Sequence, residues 1–297
     1  MAGFLDALKS GRVLLMDGAM GTELQRAGLK PGECGELWNL THSEKVRAIH
    51  QAYVSAGAEV LLTNTFQATP AALQRHNAAV QCAAICRAAV DLAREAAGPD
   101  RWVLADVGPS LQQEERESLP DLIHALAAAR PDAFLVETCS DPDRLFRLLK
   151  LLWSDLRNSF PVLVSFTYLR DREGRARTIG GFPPRKMARW VEDHSPTAIG
   201  VNCGRDLGLP QVLEVVEGYR DSTHRRVFIR PNAGTPKQVE DRWVYPHTPE
   251  YMASWLPELL EAGVSMVGGC CGTTPDHIAA FRPVVEKWNR RRSGFPA

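Results

Sequence analysis

The sequence has no hydrophobic run long enough to cross a bilayer and no excess of charge of either sign. Its 35 basic residues balance its 35 acidic residues across 297 positions. We therefore expect no membrane segment, and neither nucleic acid nor an anionic membrane surface as a partner. The first ten residues include Asp6 and Lys9, a pattern that does not fit a secretory signal peptide.

Cysteine is uncommon, with seven residues, and the eight histidines lack the His-Glu-x-x-His spacing of a zinc protease helix. An odd number of cysteines without a secretion signal predicts free thiols in a reducing compartment, which we take to be the cytoplasm. The Gly-x-Gly-x-x-Gly fingerprint of dinucleotide binding is also missing, because the glycines of the segment 18–21 do not have that spacing.

Two adjacent cysteines, Cys270 and Cys271, lie between glycines at the end of an apolar run. Adjacent cysteines rarely form a disulfide with each other, since so short a ring has poor geometry. A third cysteine, Cys203, also ends an apolar run and precedes a glycine. Three thiolates at two strand ends would leave one open position on a tetrahedral Zn²⁺, as catalytic zinc requires. The alternative is that these three cysteines are simply small buried residues. That is the interpretation we prefer for two other cysteines, Cys82 and Cys86, which are four positions apart in a predicted helix.

Short apolar runs alternate with helical patterns along the whole chain. Runs that are apolar at successive positions indicate strands buried on both faces of a parallel sheet. Eight such units in 297 residues predict an α/β fold with a single (β/α)8 barrel domain covering 1–297, whereas an open doubly wound sheet is the alternative. The predicted strands are 12–16, 59–62, 102–106, 133–136, 162–166, 198–201, 226–229 and 264–267. The predicted helices include 70–97, 249–262 and 275–288.

The carboxyl ends of all strands face one mouth in such a barrel, so polar residues at those ends should converge. The loop from Asp17 to Gly21 can expose backbone N–H groups to a carboxylate, although a plain turn explains it equally well when taken alone. Residues 28–42 are expected to form either a cover over the site or a surface connection. The converging residues are Asp17, Asn64, Asp106, Glu137, Cys203, Asn232, Cys270 and Cys271.

These motifs resemble those of the zinc-dependent homocysteine S-methyltransferase family, from about Gly11 to Lys287. That family includes betaine–homocysteine methyltransferase and the homocysteine-binding module of cobalamin-dependent methionine synthase, and the motifs look closer to the latter. The resemblance implies a (β/α)8 barrel, Zn²⁺ on the three cysteines, and homocysteine as the methyl acceptor. The motifs are Asp17-Gly-Ala-Met-Gly-Thr22, Thr63-Asn-Thr-Phe66, Glu137-Thr138, Val201-Asn-Cys203, Pro231-Asn-Ala-Gly234 and Gly268-Gly-Cys-Cys-Gly-Thr-Thr274.

The resemblance also implies roles for the residues that would bind the substrate. Glu137 is expected to hold the ammonium group of homocysteine, assisted by Asp17, while the backbone N–H groups of Gly18, Ala19 and Met20 hold its carboxylate. An ion pair between Glu137 and a neighbouring arginine is the alternative.

Other strand-end residues are assigned supporting roles. Asn232 is the candidate protein group for the open zinc position when substrate is absent. Asn64, Asp106 and Asn202 are expected to hold loops or site geometry rather than to touch substrate.

The methyl donor is the open question, because no cobalamin-binding Asp-x-His-x-x-Gly motif, folate barrel or flavin domain is found in the chain. We expect a small sulfonium, S-methylmethionine or S-adenosylmethionine, which an anionic zinc-thiolate site would attract. A separate methylcobalamin protein or betaine is the alternative. A donor cation could stack on Phe66, Phe166, Tyr168 or Trp38. Two further classes remain open, a non-catalytic zinc- or thiol-binding barrel and a zinc hydrolase.

Overall fold

The computed structural model describes residues 3–109, 112–155, 159–239 and 242–292. Within them the strands are β1 Leu14–Leu15, β2 Val60–Leu62, β3 Trp102–Val107, β4 Ala133–Cys139, β5 Val162–Phe166, β6 Leu169–Arg170, β7 Ala176–Arg177, β8 Ala198–Asn202, β9 Arg226–Arg230, β10 Lys237–Val239, β11 Arg242–Val244 and β12 Val264–Val267.

Helices follow the barrel strands and surround them. They are α1 Phe4–Lys9, α2 Gly21–Arg26, α3 Trp38–Thr41, α4 Ser43–Ala56, α5 Pro70–Gln74, α6 Cys82–Ala97, α7 Gln113–Glu117, α8 Leu119–Ala128, α9 Pro142–Asp155, α10 Pro184–His194, α11 Leu209–Arg220, α12 Pro249–Ser254, α13 Leu256–Glu261 and α14 Pro275–Arg292, with a 3₁₀ turn at Ala79–Gln81. In the described parts of the chain, none of these helices is both long and apolar enough to cross a membrane.

Eight parallel strands form a nearly closed barrel in the order β1-β12-β9-β8-β5-β4-β3-β2. The seam between β1 and β2 is closed by a single bridge between Met16 and Val60. The Asp17 N–H donates to the Val60 carbonyl at 2.9 Å and so extends this contact. The predicted α/β barrel is confirmed, and all eight predicted barrel strands are present.

The interior of the barrel is layered because side chains alternate along each strand. A layer of buried apolar residues, which includes Leu104, Leu135 and Phe228, fills the centre, and α1 packs against it. Two residues further along the same strands, the inward positions become polar. This polar layer, which lies towards the carboxyl ends of the strands, consists of Asp106, Glu137, Ser165, Asn202 and Arg230.

Several elements differ from the sequence prediction. The single helix expected over 70–97 is broken, because Asn77 adopts a left-handed conformation with φ of 56°. The helix expected over 249–262 divides before Pro257, whose ring cannot continue the hydrogen-bond ladder of the preceding turn. The last helix continues past the expected end near Trp288 to Arg292. The sequence analysis also missed the two hairpins β6–β7 and β10–β11, which lie outside the barrel sheet.

Candidate metal and substrate site

Three thiols meet at the mouth of the barrel. The ligand atoms of Cys203, Cys270 and Cys271 all lie within 4.8 Å of one another. Cys203 follows β8 with φ of 54°, and Gly204 continues in the left-handed region, so the chain turns sharply at the thiol. Hydrogen bonds with the other two thiols lower the pKa of Cys203 and raise the pKa of Cys270, whose Sγ donates to Cys271 Sγ. The cluster therefore readily carries one shared thiolate, and the sequence-predicted ligands are brought together.

Asn232 lies beside the thiols. Its Nδ2 is 3.7 Å from Cys203 Sγ and 3.2 Å from the Gly204 carbonyl oxygen. Its Oδ1 is buried and has no hydrogen-bond partner among the described residues. Three soft thiolates with an unpartnered amide oxygen next to them are a donor set that suits Zn²⁺. The residues present therefore fit the implied metal.

Tyr53 and Thr273 join the two loops that form this end of the site. The Tyr53 hydroxyl lies 2.7 Å from the Ala19 carbonyl oxygen and 3.2 Å from that of Thr273. The Thr273 hydroxyl accepts from the Ala19 N–H at 3.2 Å and donates to the Cys270 carbonyl at 2.7 Å. The glycine loop 17–21 is thus fixed relative to the loop 268–274 that carries Cys270 and Cys271, which we call the thiol loop. The sequence analysis did not predict these hydrogen bonds between the two loops.

Asp17 is buried and paired with an arginine that the sequence analysis did not single out. Arg230 Nη1 lies 2.6 Å from Asp17 Oδ1, and the Leu62 N–H donates to Asp17 Oδ2 at 2.8 Å. Arg230 Nη2 also donates to the Gly18 carbonyl at 3.2 Å. Burial raises the pKa of Asp17, and the guanidinium opposes that increase. Side chains alternate along β9, so Arg230 lies on the same inward side as Phe228, two residues earlier. This alternation is the signal that could have placed the arginine in the barrel.

Glu137 is also buried in the polar layer. Its Oε2 accepts from Asn202 Nδ2 at 3.1 Å and lies 4.0 Å from Arg230 Nε. Burial raises the pKa of Glu137 to about 7, although Arg230 lowers it and the neighbouring Cys203 and Asp17 raise it further. The carboxyl therefore exchanges its proton near neutral pH, and the arginine expected as an alternative partner is present.

A cavity of about 510 Å³ lies over these groups and contains both the thiols and the acids in its wall. Residues 29 and 33–36 line it, so part of the segment 28–42 covers the site. This part of the segment is hydrogen-bonded to the loop after β2. Asn64 Nδ2 donates to the Gly35 carbonyl at 2.8 Å, and Glu36 Oε1 accepts from the Gln67 N–H at 2.8 Å.

Of the four aromatic residues considered for donor stacking, Phe66 lines this cavity. The other three, Trp38, Phe166 and Tyr168, are buried in the core between barrel and helices. Tyr245, which follows the hairpin β10–β11, was missed. It lies against Gly272, and burial together with the charge of nearby Cys271 raises its pKa.

The fold and site together define an α/β barrel with a three-thiol, metal-binding geometry at its mouth. The family model for homocysteine S-methyltransferase matches residues 14–285. The chain is 30% identical to methionine synthase of Mycobacterium leprae over an alignment of 306 residues, which covers 94% of this chain and 25% of that protein. It thus spans about a quarter of the length of this curated relative.

Solved structures agree with this match. The homocysteine methyltransferase MmuM from Escherichia coli, in its metallated form, superposes with a TM-score of 0.74 at 26% identity, covering 94% of this chain and 98% of that one. A methyltransferase from Methanosarcina mazei shares the fold alone, with a TM-score of 0.57 at 13% identity over 96% and 97% of the two chains. The chain belongs to the homocysteine S-methyltransferase family, a family of methyltransferase enzymes.

Proposed function

We propose that this chain transfers a methyl group to the thiol of L-homocysteine and so forms methionine, with Zn²⁺ held by Cys203, Cys270 and Cys271. The observation that carries the proposal is the meeting of three thiols with a buried acid, Glu137, in the wall of one cavity. A hydrolase is disfavoured because this donor set consists of thiolates, whereas zinc hydrolases commonly use histidine ligands.

The amino acid end of the substrate would be held by the acids and by the glycine loop. Glu137 is the proposed partner of the ammonium group. Among the described residues, the N–H groups of Gly18 and Met20 have no acceptor, whereas that of Ala19 donates to Thr273. Gly18 and Met20 are therefore the better candidates for the substrate carboxylate, and Asn232 Oδ1 is the proposed occupant of the open metal position without substrate.

When bound, Zn²⁺ would lower the pKa of the substrate thiol, so that the sulfur is a thiolate at neutral pH. The proton of the thiol leaves to solvent. The homocysteine sulfur then attacks the methyl carbon of the donor in line, and the carbon–sulfur bond of methionine forms. With a sulfonium donor, the breaking bond returns its electron pair to the donor sulfur, which leaves as a neutral thioether.

We propose a small sulfonium, S-methylmethionine or S-adenosylmethionine, as the donor, with betaine or a separate methylcobalamin protein as alternatives. The support is electrostatic, since the cavity wall contains five acids against two arginines, together with the three clustered cysteines, and such a wall attracts a cation. We further propose that 1–297 act as one homocysteine-binding barrel domain in the cytoplasm. All seven cysteines are free, as a reducing compartment requires.

The test is to incubate zinc-loaded protein with each donor separately and with homocysteine labelled with ¹³C in its carbon chain, because S-methylmethionine itself leaves methionine when it loses a methyl group. Methionine that carries the ¹³C label, detected by mass spectrometry with one of the sulfonium donors, would support the proposal. Labelled methionine formed only when a cobalamin protein is added would exclude the small donor and keep the acceptor assignment. Binding of homocysteine without turnover of any donor would instead favour a non-catalytic thiol-binding barrel.

A further inference from the structure

We propose that Tyr53 and Thr273 fix the distance between the two ends of the substrate site, and that this distance selects homocysteine over cysteine, which is one methylene group shorter. The inference rests on the proposed function, in which the glycine loop 17–21 holds the substrate carboxylate and the thiol loop holds the metal for its sulfur. We call the two residues the Tyr53–Thr273 clamp. They are positioning residues, because they act through the two loops.

The clamp joins the two loops through hydrogen bonds on both sides of Ala19. The Thr273 hydroxyl accepts from the Ala19 N–H at 3.2 Å and donates to the Cys270 carbonyl at 2.7 Å. The Tyr53 hydroxyl donates to the Ala19 carbonyl at 2.7 Å and lies 3.2 Å from the Thr273 carbonyl oxygen. Ala19 is therefore held at its N–H and at its carbonyl, and one hydroxyl connects it to the backbone of a proposed metal ligand.

The packing around the clamp leaves the glycine loop little room to move. Tyr53 and Thr273 are both fully buried. A Cβ added at Gly18 would lie 2.8 Å from the Tyr53 hydroxyl oxygen and 2.9 Å from Thr273 Oγ1, so the loop backbone packs directly on the clamp. Burial raises the pKa of Tyr53, so the hydroxyl keeps the proton that it donates. Buried hydrogen bonds in a close-packed region hold a fixed spacing.

This spacing concerns the substrate because of the N–H groups that the clamp leaves free. Thr273 occupies the N–H of Ala19, whereas those of Gly18 and Met20 on either side have no acceptor among the described residues. With Ala19 fixed relative to Cys270, the distance from these free N–H groups to a metal on the thiols is fixed as well. Homocysteine would span that distance, and cysteine would be too short to reach both ends. A rigid site cannot adapt to the shorter ligand.

Other contacts keep the two loops paired when the clamp is removed. The Gly269 N–H donates to the Asp17 carbonyl at 3.0 Å, and the Gly272 N–H donates to the Thr22 hydroxyl at 3.2 Å. Neither contact uses a side chain of the clamp. We therefore expect variants of the clamp to fold and to bind zinc, but with a spacing that is no longer fixed.

The experiment measures the dissociation constants of homocysteine and cysteine for zinc-loaded protein by isothermal titration calorimetry, with zinc content determined before and after. The measured quantity is the ratio of the cysteine constant to the homocysteine constant, because a general loss of stability would affect both ligands alike. Tyr53→Phe and Thr273→Val each remove one hydroxyl and should lower this ratio about fivefold or more.

Two further variants serve as controls. Thr273→Ser keeps the hydroxyl and should hold the ratio within about twofold of the wild-type value. Tyr219→Phe removes another buried hydroxyl, one that donates to the Gly200 carbonyl at 3.0 Å and makes no contact with the glycine loop. The ratio should stay unchanged in that variant.

An unchanged ratio in either clamp variant, once folded and zinc-loaded, would overturn the proposal. Loss of zinc from both would also overturn it, since the clamp would then hold the metal and not the spacing. A wild-type ratio near one would show that no such selection exists. If wild-type protein binds neither thiol, the proposed function itself fails, an outcome distinct from the others.

Discussion

Asn202 donates from Nδ2 to Glu137 Oε2 over 3.1 Å, and the same nitrogen lies 4.0 Å from Cys270 Sγ. Asn202 Oδ1 accepts from the Thr138 N–H at 3.0 Å and from the Ser165 hydroxyl. One amide therefore links the acid of the polar layer to the thiol cluster. The orientation of Glu137 is set by the barrel before any substrate arrives.

Replacing Glu137 by glutamine preserves an acceptor for Asn202 and removes the charge. Homocysteine binding should weaken by about 2 kcal/mol or more, because a charged partner of the ammonium is lost. Zinc content should remain unchanged. Steady-state kinetics and metal analysis check both. Glu59→Gln is the control, since Glu59 pairs with Arg12 at the start of β2, away from the site. An unchanged homocysteine KM in Glu137→Gln would show that the ammonium is held elsewhere.

Removing one thiol should abolish tight metal binding. Cys270→Ala leaves two of the three clustered sulfurs, so most bound zinc and nearly all activity should be lost. Cys82→Ala and Cys86→Ala are the controls, because these cysteines are buried in α6 and should change stability by roughly 1 kcal/mol while metal stays bound. Elemental analysis after dialysis measures the zinc that stays bound to each variant. Full zinc occupancy in Cys270→Ala would refute the ligand assignment.

Gly272 is required by the packing of the thiol loop. A Cβ added there would lie 2.0 Å from Tyr245 Cγ, and the backbone φ of 80° is strained for any other residue. Gly272→Ala should therefore displace Tyr245 or the thiols and reduce zinc affinity. Gly21→Ala is the matched control, since a Cβ at Gly21 meets no atom within 4 Å. Competition with a chromogenic chelator measures the zinc affinity of both variants. Equal affinities in the two variants would contradict the expected displacement.

His50 should make the fold sensitive to acid. It is fully buried on α4, neither ring nitrogen has a partner among the described residues, and burial lowers its pKa to about 4. In the unfolded chain the imidazole takes up a proton below about pH 6.5. The unfolded state therefore binds more protons as the pH falls from 6.5 towards 4, and the free energy of unfolding decreases.

Urea unfolding at pH 7 and pH 5 tests this expectation. The contribution of His50 should lower the free energy of unfolding by about 2 kcal/mol between these two values. His50→Leu should remove that part of the pH dependence. His76 is exposed, so His76→Gln should leave the pH dependence unchanged. Identical pH dependence in wild-type protein and His50→Leu would refute the prediction.

The barrel was predictable from the sequence because its strands are short, apolar and regularly spaced. The local turns were not. Asn77 breaks a continuous helical pattern through a left-handed backbone. Asparagine adopts that conformation more readily than most residues, but the alanine-rich surroundings favoured an unbroken helix. The hairpin β10–β11 was missed because its exposed strands carry no burial pattern.

The three clustered thiols were also predictable, since each lies beside glycine at a strand end. The pairing of Asp17 with Arg230 was not, because the two residues are 213 positions apart and Asp17 was expected to assist in holding the substrate ammonium group. Counting inward positions beyond Phe228 would have placed Arg230 in the barrel. Asp106 Oδ1 and Asn232 Oδ1 are buried without a hydrogen-bond partner among the described residues, and this has no sequence signal because it depends on three-dimensional contacts.

β12, the last barrel strand along the chain, leads directly into two of the three thiols. β12 pairs with β1, and the Gly272 N–H reaches Thr22 Oγ1 across 250 residues of sequence. A ribosome-bound chain that ends before β12 carries only Cys203 of the three clustered thiols, and its sheet still has an open edge. The proposed metal would therefore be bound only after β12 and the thiol pair that follows it have been synthesised.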